Sequence, residues 1–266
     1  MLAFNHLGKL GQLGNQMFQY AATIGIADKL GVDYTIPNHK EVFIDPLNNK
    51  LRIELFDCFD ITPSNVGELK TGRYVSESGF AFDKFLFTMN SEPSVSLMGF
   101  FQTEKYFKHV ESQIRKQFVF KKEFIDESNE IIRDHFNNPI ALHIRRGDFL
   151  INSGNHNNLT LDYYKEALSK FDDHRQVVIF SDDSKWCMEC PLFGDDRFIV
   201  SCGNSSYHDL YMMSQCDDFI IANSTFSWWG AWLANKGKVI APKEWFGPDN
   251  SHLDTKDLYP DSWEVI

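Results

Sequence analysis

The chain has 266 residues, 43% of them hydrophobic and 24% charged, with a formal net charge of −11. That is enough apolar material for one large domain or two modest ones, and the acidity argues against nucleic acid or an anionic membrane surface as a general partner. No apolar run reaches the roughly 20 residues that span a bilayer, and the start, Met1-Leu2-Ala3-Phe4-Asn5-His6, lacks a signal-peptide pattern, so a cytoplasmic or peripherally membrane-associated protein is the expectation.

Phe18, Ala21, Ala22 and Ile26 fall near helical spacing and Gly31 follows them, which predicts a helix over 15–30. Residues 32–36 read as a strand stopped by Pro37. Residues 38–95 mix short apolar pieces with turn residues and show no period. A strand is expected over 96–101, and helices over 106–118 and 122–136. From there the pattern is regular: strand 140–145, helix 161–171, strand 177–181, a helix from 184 that stops near Pro191, strand 197–201, helix 207–216, strand 219–223, helix 225–235 and strand 238–241. Strands alternating with helices predict an α/β fold with a parallel sheet covered on both faces. Such sheets bind ligands beyond the carboxyl ends of their strands. A boundary at 137–139 divides the chain into lobes 1–137 and 138–266.

The five cysteines, Cys58, Cys187, Cys190, Cys202 and Cys216, are odd in number, which argues against a complete disulfide framework. Cys187 and Cys190 form a C-x-x-C that suits a redox pair or half of a zinc site. No second close pair completes such a site, so structural thiols are the expectation, and no metal is assigned.

Four segments carry candidate chemistry. In His143-Ile144-Arg145-Arg146-Gly147-Asp148, strand alternation points Ile140, Leu142 and Ile144 one way and His143 and Arg145 the other. Two adjacent arginines in an acidic chain suit phosphate oxygens, which guanidinium matches with fixed donors; a pair of surface salt bridges is the alternative. Ser181-Asp182-Asp183 ends another strand, and its carboxylates can hold a cation, accept from a base or ribose, or cap the next helix. Asn223-Ser224-Thr225-Phe226-Ser227-Trp228-Trp229-Gly230 crowds three hydroxyls at a helix start, where free N–H groups favour anions; N-capping by Asn223 or Ser224 is the competing role. Trp228, Trp229 and Trp232 are placed to stack on a sugar or to pack in the core. Gly11-Gln12-Leu13-Gly14-Asn15-Gln16 opens the first long helix with a turn that admits a phosphate or sugar, and it matches neither the dinucleotide fingerprint nor the P-loop.

Taken with Met17-Phe18-Gln19-Tyr20-Ala21 and Phe180, these four segments occur in the order found in glycosyltransferase family 11, which contains the α-1,2-fucosyltransferases, and the chain resembles that family from its N-terminus to about Pro242. The resemblance implies a GT-B fold, in which two Rossmann-like lobes face each other across a cleft. The C-terminal lobe would bind GDP-fucose, and the N-terminal lobe would lie on the acceptor side. It implies that Arg145 grips the pyrophosphate, with Arg146 adding a contact or holding the loop. His143 and Asp182 or Asp183 would bind guanine or ribose. Asn223, Ser224, Thr225 and Ser227 would contact the phosphates, and Gly14, Asn15 and Gln16 would approach the donor from the other lobe. The reaction would be a metal-independent inverting transfer of fucose to the 2-hydroxyl of a terminal β-galactoside on a glycan, with Asp148 as general base or as a partner that orients an arginine. Another GDP-sugar transferase, a protein O-fucosyltransferase and a non-catalytic glycan-binding protein are the alternative readings.

Overall fold

Short runs of apolar and β-branched residues, each bounded by polar turns, form two separate parallel sheets in a computed structural model that describes residues 1–38, 42–46, 48, 50–90, 92 and 94–266. The chain divides into two units, Met1–Lys121 with Leu253–Pro260, and Lys122–His252 with Asp261–Ile266.

In the first unit the elements run β1 (Leu2–Ala3), α1 (Leu13–Leu30), β2 (Tyr34–Ile36), β3 (Phe43–Ile44), β4 (Lys50–Leu51), α2 (Leu55–Cys58), β5 (Asn65–Val66), β6 (Tyr74–Val75), β7 (Val95–Leu97) and α3 (Glu111–Gln117). The main sheet has the order β5-β2-β1-β7-β6, with every pair parallel. β3 and β4 form an antiparallel ribbon. α1 is buried along most of its length and ends on Gly31 in the left-handed conformation, φ 63°, a cap that glycine adopts without a Cβ penalty.

Several expected elements are shorter than their apolar pattern, among them the strands expected over 32–36 and 219–223 and the helix over 161–171; two in the first unit have a visible cause. The strand expected over 96–101 stops at Leu97 because Gly99 (φ 152°) and Phe101 (φ 54°) turn the chain away. The Glu77 carboxylate fixes that turn by accepting from the Phe100 and Phe101 backbone N–H groups, both at 3.0 Å. The helix expected over 106–118 begins only at Glu111. Thr103 instead caps a 3-10 turn at Glu104–Tyr106, and Phe107 (φ −135°) separates it from a second turn at Lys108–Val110.

In the second unit come α4 (Lys122–His135), β8 (Ile140–Ile144), α5 (Gly147–Ile151), α6 (Leu161–Leu168), β9 (Val177–Ser181), α7 (Ser184–Glu189), β10 (Phe198–Val200), α8 (Ser206–Gln215), β11 (Asp218–Ile220), α9 (Thr225–Ala234), β12 (Val239–Ala241) and β13 (Glu264–Val265). The sheet order is β10-β9-β8-β11-β12-β13, again all parallel. β8 lies inside the sheet and is buried throughout, as a strand covered on both faces must be. Ile140, Leu142 and Ile144 join Val177, Ile179, Ile220 and Ile240 in one core beneath α6 and α7. Cys187 and Cys190 belong to that core, and burial pushes the Cys187 thiol up to about 11, as in an inert structural cysteine. Trp228, Trp229 and Trp232 are also buried, so these rings pack the interior and offer no sugar platform. α5 and β13, at 5 and 2 residues, are too short to leave a readable period.

α1 and α9 each use one glycine for close packing. A Cβ on Gly25 would come within 2.0 Å of the Tyr106 carbonyl oxygen, whereas one on Gly230 would meet the flexible end of Met213 at 2.3 Å. Gly25→Ala should therefore cost about 1–3 kcal/mol through overpacking against backbone, and Gly230→Ala clearly less. Urea unfolding of the two variants checks the order, and equal midpoints would contradict it.

Candidate active site

The register of the central strands builds the site. Ile144 on β8 pairs with Ser181 on β9, so the residues just beyond each strand, Arg145-Arg146 and Asp182-Asp183, leave the sheet side by side. Asp182 then accepts from the Arg146 backbone N–H through Oδ1 at 2.9 Å, and its Oδ2 forms an ion pair with Arg145 Nη1 at 3.2 Å. Asp148, one turn further on, accepts from Arg145 Nη2 at 2.6 Å. Arg145 is thus held between two carboxylates with about a fifth of its side chain exposed. Gly147 makes this possible, since a Cβ there would lie 2.4 Å from Asp182 Oδ2.

Arg146 is held differently. Its Nε donates to Asp183 Oδ2 at 3.0 Å, and its guanidinium lies 3.9 Å from the centre of the Trp186 ring. Asp183 also caps α7 by accepting from the Trp186 backbone N–H at 3.2 Å. The capping role and the charge-pairing role of this carboxylate therefore coincide.

β11 neighbours β8 in the sheet, so the start of α9 lies at the same carboxyl edge as Arg145. Ser224 is the N-cap residue, and its side chain makes no capping bond. Ser224 and Thr225 are partly exposed, leaving hydroxyls and helix N–H groups in the arrangement that receives an anion. The other two residues of this motif are turned inward. Ser227 is fully buried and donates to the Ser224 and Ala222 carbonyls at 3.2 and 3.4 Å. Asn223 is buried, and its amide donates to the Asn157 and Trp245 carbonyls at 2.8 and 2.9 Å.

His143 is 4% exposed, its ring lies 5.4 Å from that of Phe226, and its Nδ1 has no partner among the described residues. Burial first, and the Arg145 charge second, pull its pKa down to about 3, so it is a neutral imidazole at ordinary pH. An orphaned buried nitrogen of this kind costs free energy unless a ligand or water meets it.

Asp209, in the first turn of α8 beyond β10, has no counterpart among the sequence-based candidates. Its Oδ1 accepts from Ser201 Oγ at 2.6 Å, and burial raises its carboxyl above the usual range. The sequence signal is a lone acid one turn into a helix that follows a strand, which ordinary helix-dipole placement also explains.

Gly14, Asn15 and Gln16 belong to the first unit. Gln16 is fully buried: its amide donates to Gly11 and Arg52 carbonyls and accepts from the Glu54 N–H. Asn15 is partly exposed and accepts from Gln102 Nε2 at 2.8 Å. Among the described residues no group of three or more His, Cys, Asp or Glu is arranged to hold a metal ion, and no helix is long and apolar enough to cross a membrane.

The fold matches that of NodZ α-1,6-fucosyltransferase soaked with GDP-fucose, with a TM-score of 0.56, 12% identity and coverage of 91% of this chain and 94% of that one. Two parallel-sheet α/β units of this kind are the architecture of the GT-B fold. More narrowly, the chain belongs to glycosyltransferase family 11, which it matches over residues 4–266. It is 32% identical to an α-1,2-colitosyltransferase of Escherichia coli, covering 96% of each chain. It is 25% identical to galactoside α-(1,2)-fucosyltransferase 1 of Ateles belzebuth, covering 91% of this chain and 68% of the relative.

The state of His143 gives a stability test. The unfolded chain takes up a proton on this residue near pH 6.5, whereas the folded protein resists until about 3. Stability contributed by neutral His143 is therefore complete above pH 6.5 and falls as pH drops through that window. His143→Gln should flatten the decline in urea midpoint between pH 6.5 and 4 relative to the native protein. Parallel declines in the two proteins would contradict a buried neutral imidazole.

Proposed function

We propose that this glycosyltransferase is an inverting α-1,2-fucosyltransferase that moves L-fucose from GDP-β-L-fucose to the 2-hydroxyl of a terminal β-galactoside. The observation that carries the reading is Arg145, clamped by Asp148 and Asp182 at the same sheet edge as the uncommitted start of α9. In this reading the second unit is the donor side and the first the acceptor side. Arg145 contacts the diphosphate, while Ser224, Thr225 and the α9 N–H groups receive its other oxygens. Arg146 holds the loop through Asp183 and Trp186. Guanine presents adjacent N–H donors, and Asp209, a partly buried acceptor bonded to a neutral hydroxyl, suits them alongside His143.

In the transfer the acceptor oxygen bonds to the fucose anomeric carbon and gives its proton to the general base, while the bond to the β-phosphate oxygen breaks and GDP leaves with the electron pair. Negative charge grows on the departing phosphate, and a preorganised guanidinium stabilises it most at that stage. Arg145 does the work that a divalent cation performs in metal-dependent transfer. Asp148 accepts from Arg145 through Oδ1 at 2.6 Å, and a carboxylate has further lone pairs, so it can orient the guanidinium and still take the acceptor proton as general base.

A second reading has one observation in its favour, the colitosyl relative. Colitose is fucose without its 3-hydroxyl. A site that hydrogen-bonds that hydroxyl discriminates strongly against the deoxy sugar, so turnover of GDP-fucose against GDP-colitose separates the two donors.

Calorimetric titration in EDTA should show GDP binding and no UDP binding, and a requirement for Mn²⁺ would contradict the role given to Arg145. Arg145→Ala should lower turnover by about 10²-fold, roughly 3 kcal/mol of transition-state stabilisation. Near-normal turnover in that variant would remove the assignment.

A further inference from the structure

Arg145 has a third restraint that is not ionic. Its guanidinium lies over the Phe149 ring, 5.4 Å from the centroid. The His156 ring stacks on Phe149, with centroids 4.0 Å apart and planes 6° from parallel. His156 is only partly buried, yet its loop is pinned from several directions. Its N–H donates to the Asn152 carbonyl at 3.0 Å, and it forms a β-bridge with Phe246. Asn155 accepts from the Gly247 N–H at 2.9 Å, and Gly154 accepts from the Asp249 N–H at 2.8 Å. Gly154 and Gly247 lie so close to the opposite segment that a Cβ on either would come within 2.3 and 2.5 Å of it. Asn223 closes the assembly, because its amide holds Asn157 and Trp245 together.

These contacts make one mechanical chain, from Asn223 through the 152–158 loop to His156, Phe149 and Arg145. We propose that His156 and Phe149 are positioning residues whose stacked rings fix the guanidinium plane of Arg145 on the donor diphosphate, and that Asn223 serves the same end by anchoring the loop that carries His156. The inference rests on the donor-site reading given above. It assigns Asn223, a motif residue turned away from the solvent edge, a part that direct phosphate contact does not give it.

The physical reason is that carboxylates alone leave a long side chain with a degree of freedom. Asp148 and Asp182 pull on two different nitrogens of Arg145, but neither prevents the plane from tilting. A flat aromatic surface does, since guanidinium lies face-on over π systems. His156 braces the Phe149 ring by stacking parallel to it, and an imidazole serves as a flat plate. Burial is the main reason that its pKa is lowered; the Arg145 charge lowers it too, and Asp148 opposes that effect. Those are the two charged groups that face it within the stack.

The test compares GDP with GMP, which lacks the β-phosphate, by calorimetry. His156→Leu should weaken GDP by about 10-fold, as expected from a small misplacement of a clamping group, and should leave GMP affinity within about twofold. His156→Phe, which restores a flat ring, should recover GDP affinity to within about threefold. In an Arg145→Lys background His156→Leu should have little further effect, because the group being positioned is gone. Equal losses for GDP and GMP, no rescue by His156→Phe, or full additivity with Arg145→Lys would each overturn the positioning role. So would a His156→Leu variant that binds GDP as tightly as the native protein. A native protein that binds no GDP would overturn the donor-site reading and the stack with it. Native GDP binding with an inert His156 would overturn the stack alone.

Discussion

The two contacts of Asp182, a hydrogen bond to one loop and an ion pair to its arginine, are what the rest of the site depends on. One carboxylate binds the Arg146 backbone and the Arg145 side chain at once, which ties the loop after β8 to the loop after β9. It does so only because residue 147 has no side chain. In an acidic protein the difficulty is to keep arginines available to an anion while satisfying them in its absence. Partial exposure with carboxylate partners leaves each arginine paired and still reachable from solvent. A fully buried pair would carry a large desolvation cost, and a fully exposed one would have no fixed direction.

Much of the second unit was legible because its central strands are largely buried and α7 and α8 begin with the side-chain caps Asp183 and Ser205. Ile140–Ile144 and Val177–Ser181 are largely apolar runs between turn residues, and periodicity finds those readily. The Arg-Arg and Asp-Asp pairs were legible as chemistry but not as a pair. Their meeting follows from the parallel register of β8 with β9, which no local pattern encodes. The first unit was harder because its strands are 2 or 3 residues long. A two-residue strand has no alternation to read, and the bends at Gly99 and Phe101 come from Glu77, more than 20 positions away in sequence.

Residue type misled most within Asn223-Ser224-Thr225-Phe226-Ser227. Side by side at a helix start, these polar groups look equally suited to an anion. The helix then sorts them by angle. Ser224 and Thr225 stay at the edge, whereas Ser227, a turn further on, rotates into the protein and bonds back to carbonyls. Asn223 precedes the helix and points into the loops. Motif membership therefore identifies a structural unit, and burial decides which of its members can touch a ligand.

The same sorting explains why an orphaned histidine can persist at this edge. His143 lies on the strand face opposite to Leu142 and Ile144, which belong to the core beneath α6 and α7, and it is covered by Phe226 from the first turn of α9. A hydrophobic residue in its place would remove the cost of the unpartnered nitrogen at no loss of packing. A polar residue that weakens the empty protein is understandable where bound ligand supplies the missing partner, because strain and unsatisfied groups collect where binding relieves them. Arg145 lies two positions on, and the side chain of Ser224 at the start of α9 makes no capping bond, so the nitrogen shares this edge with the polar groups to which the proposed function gives the donor nucleotide.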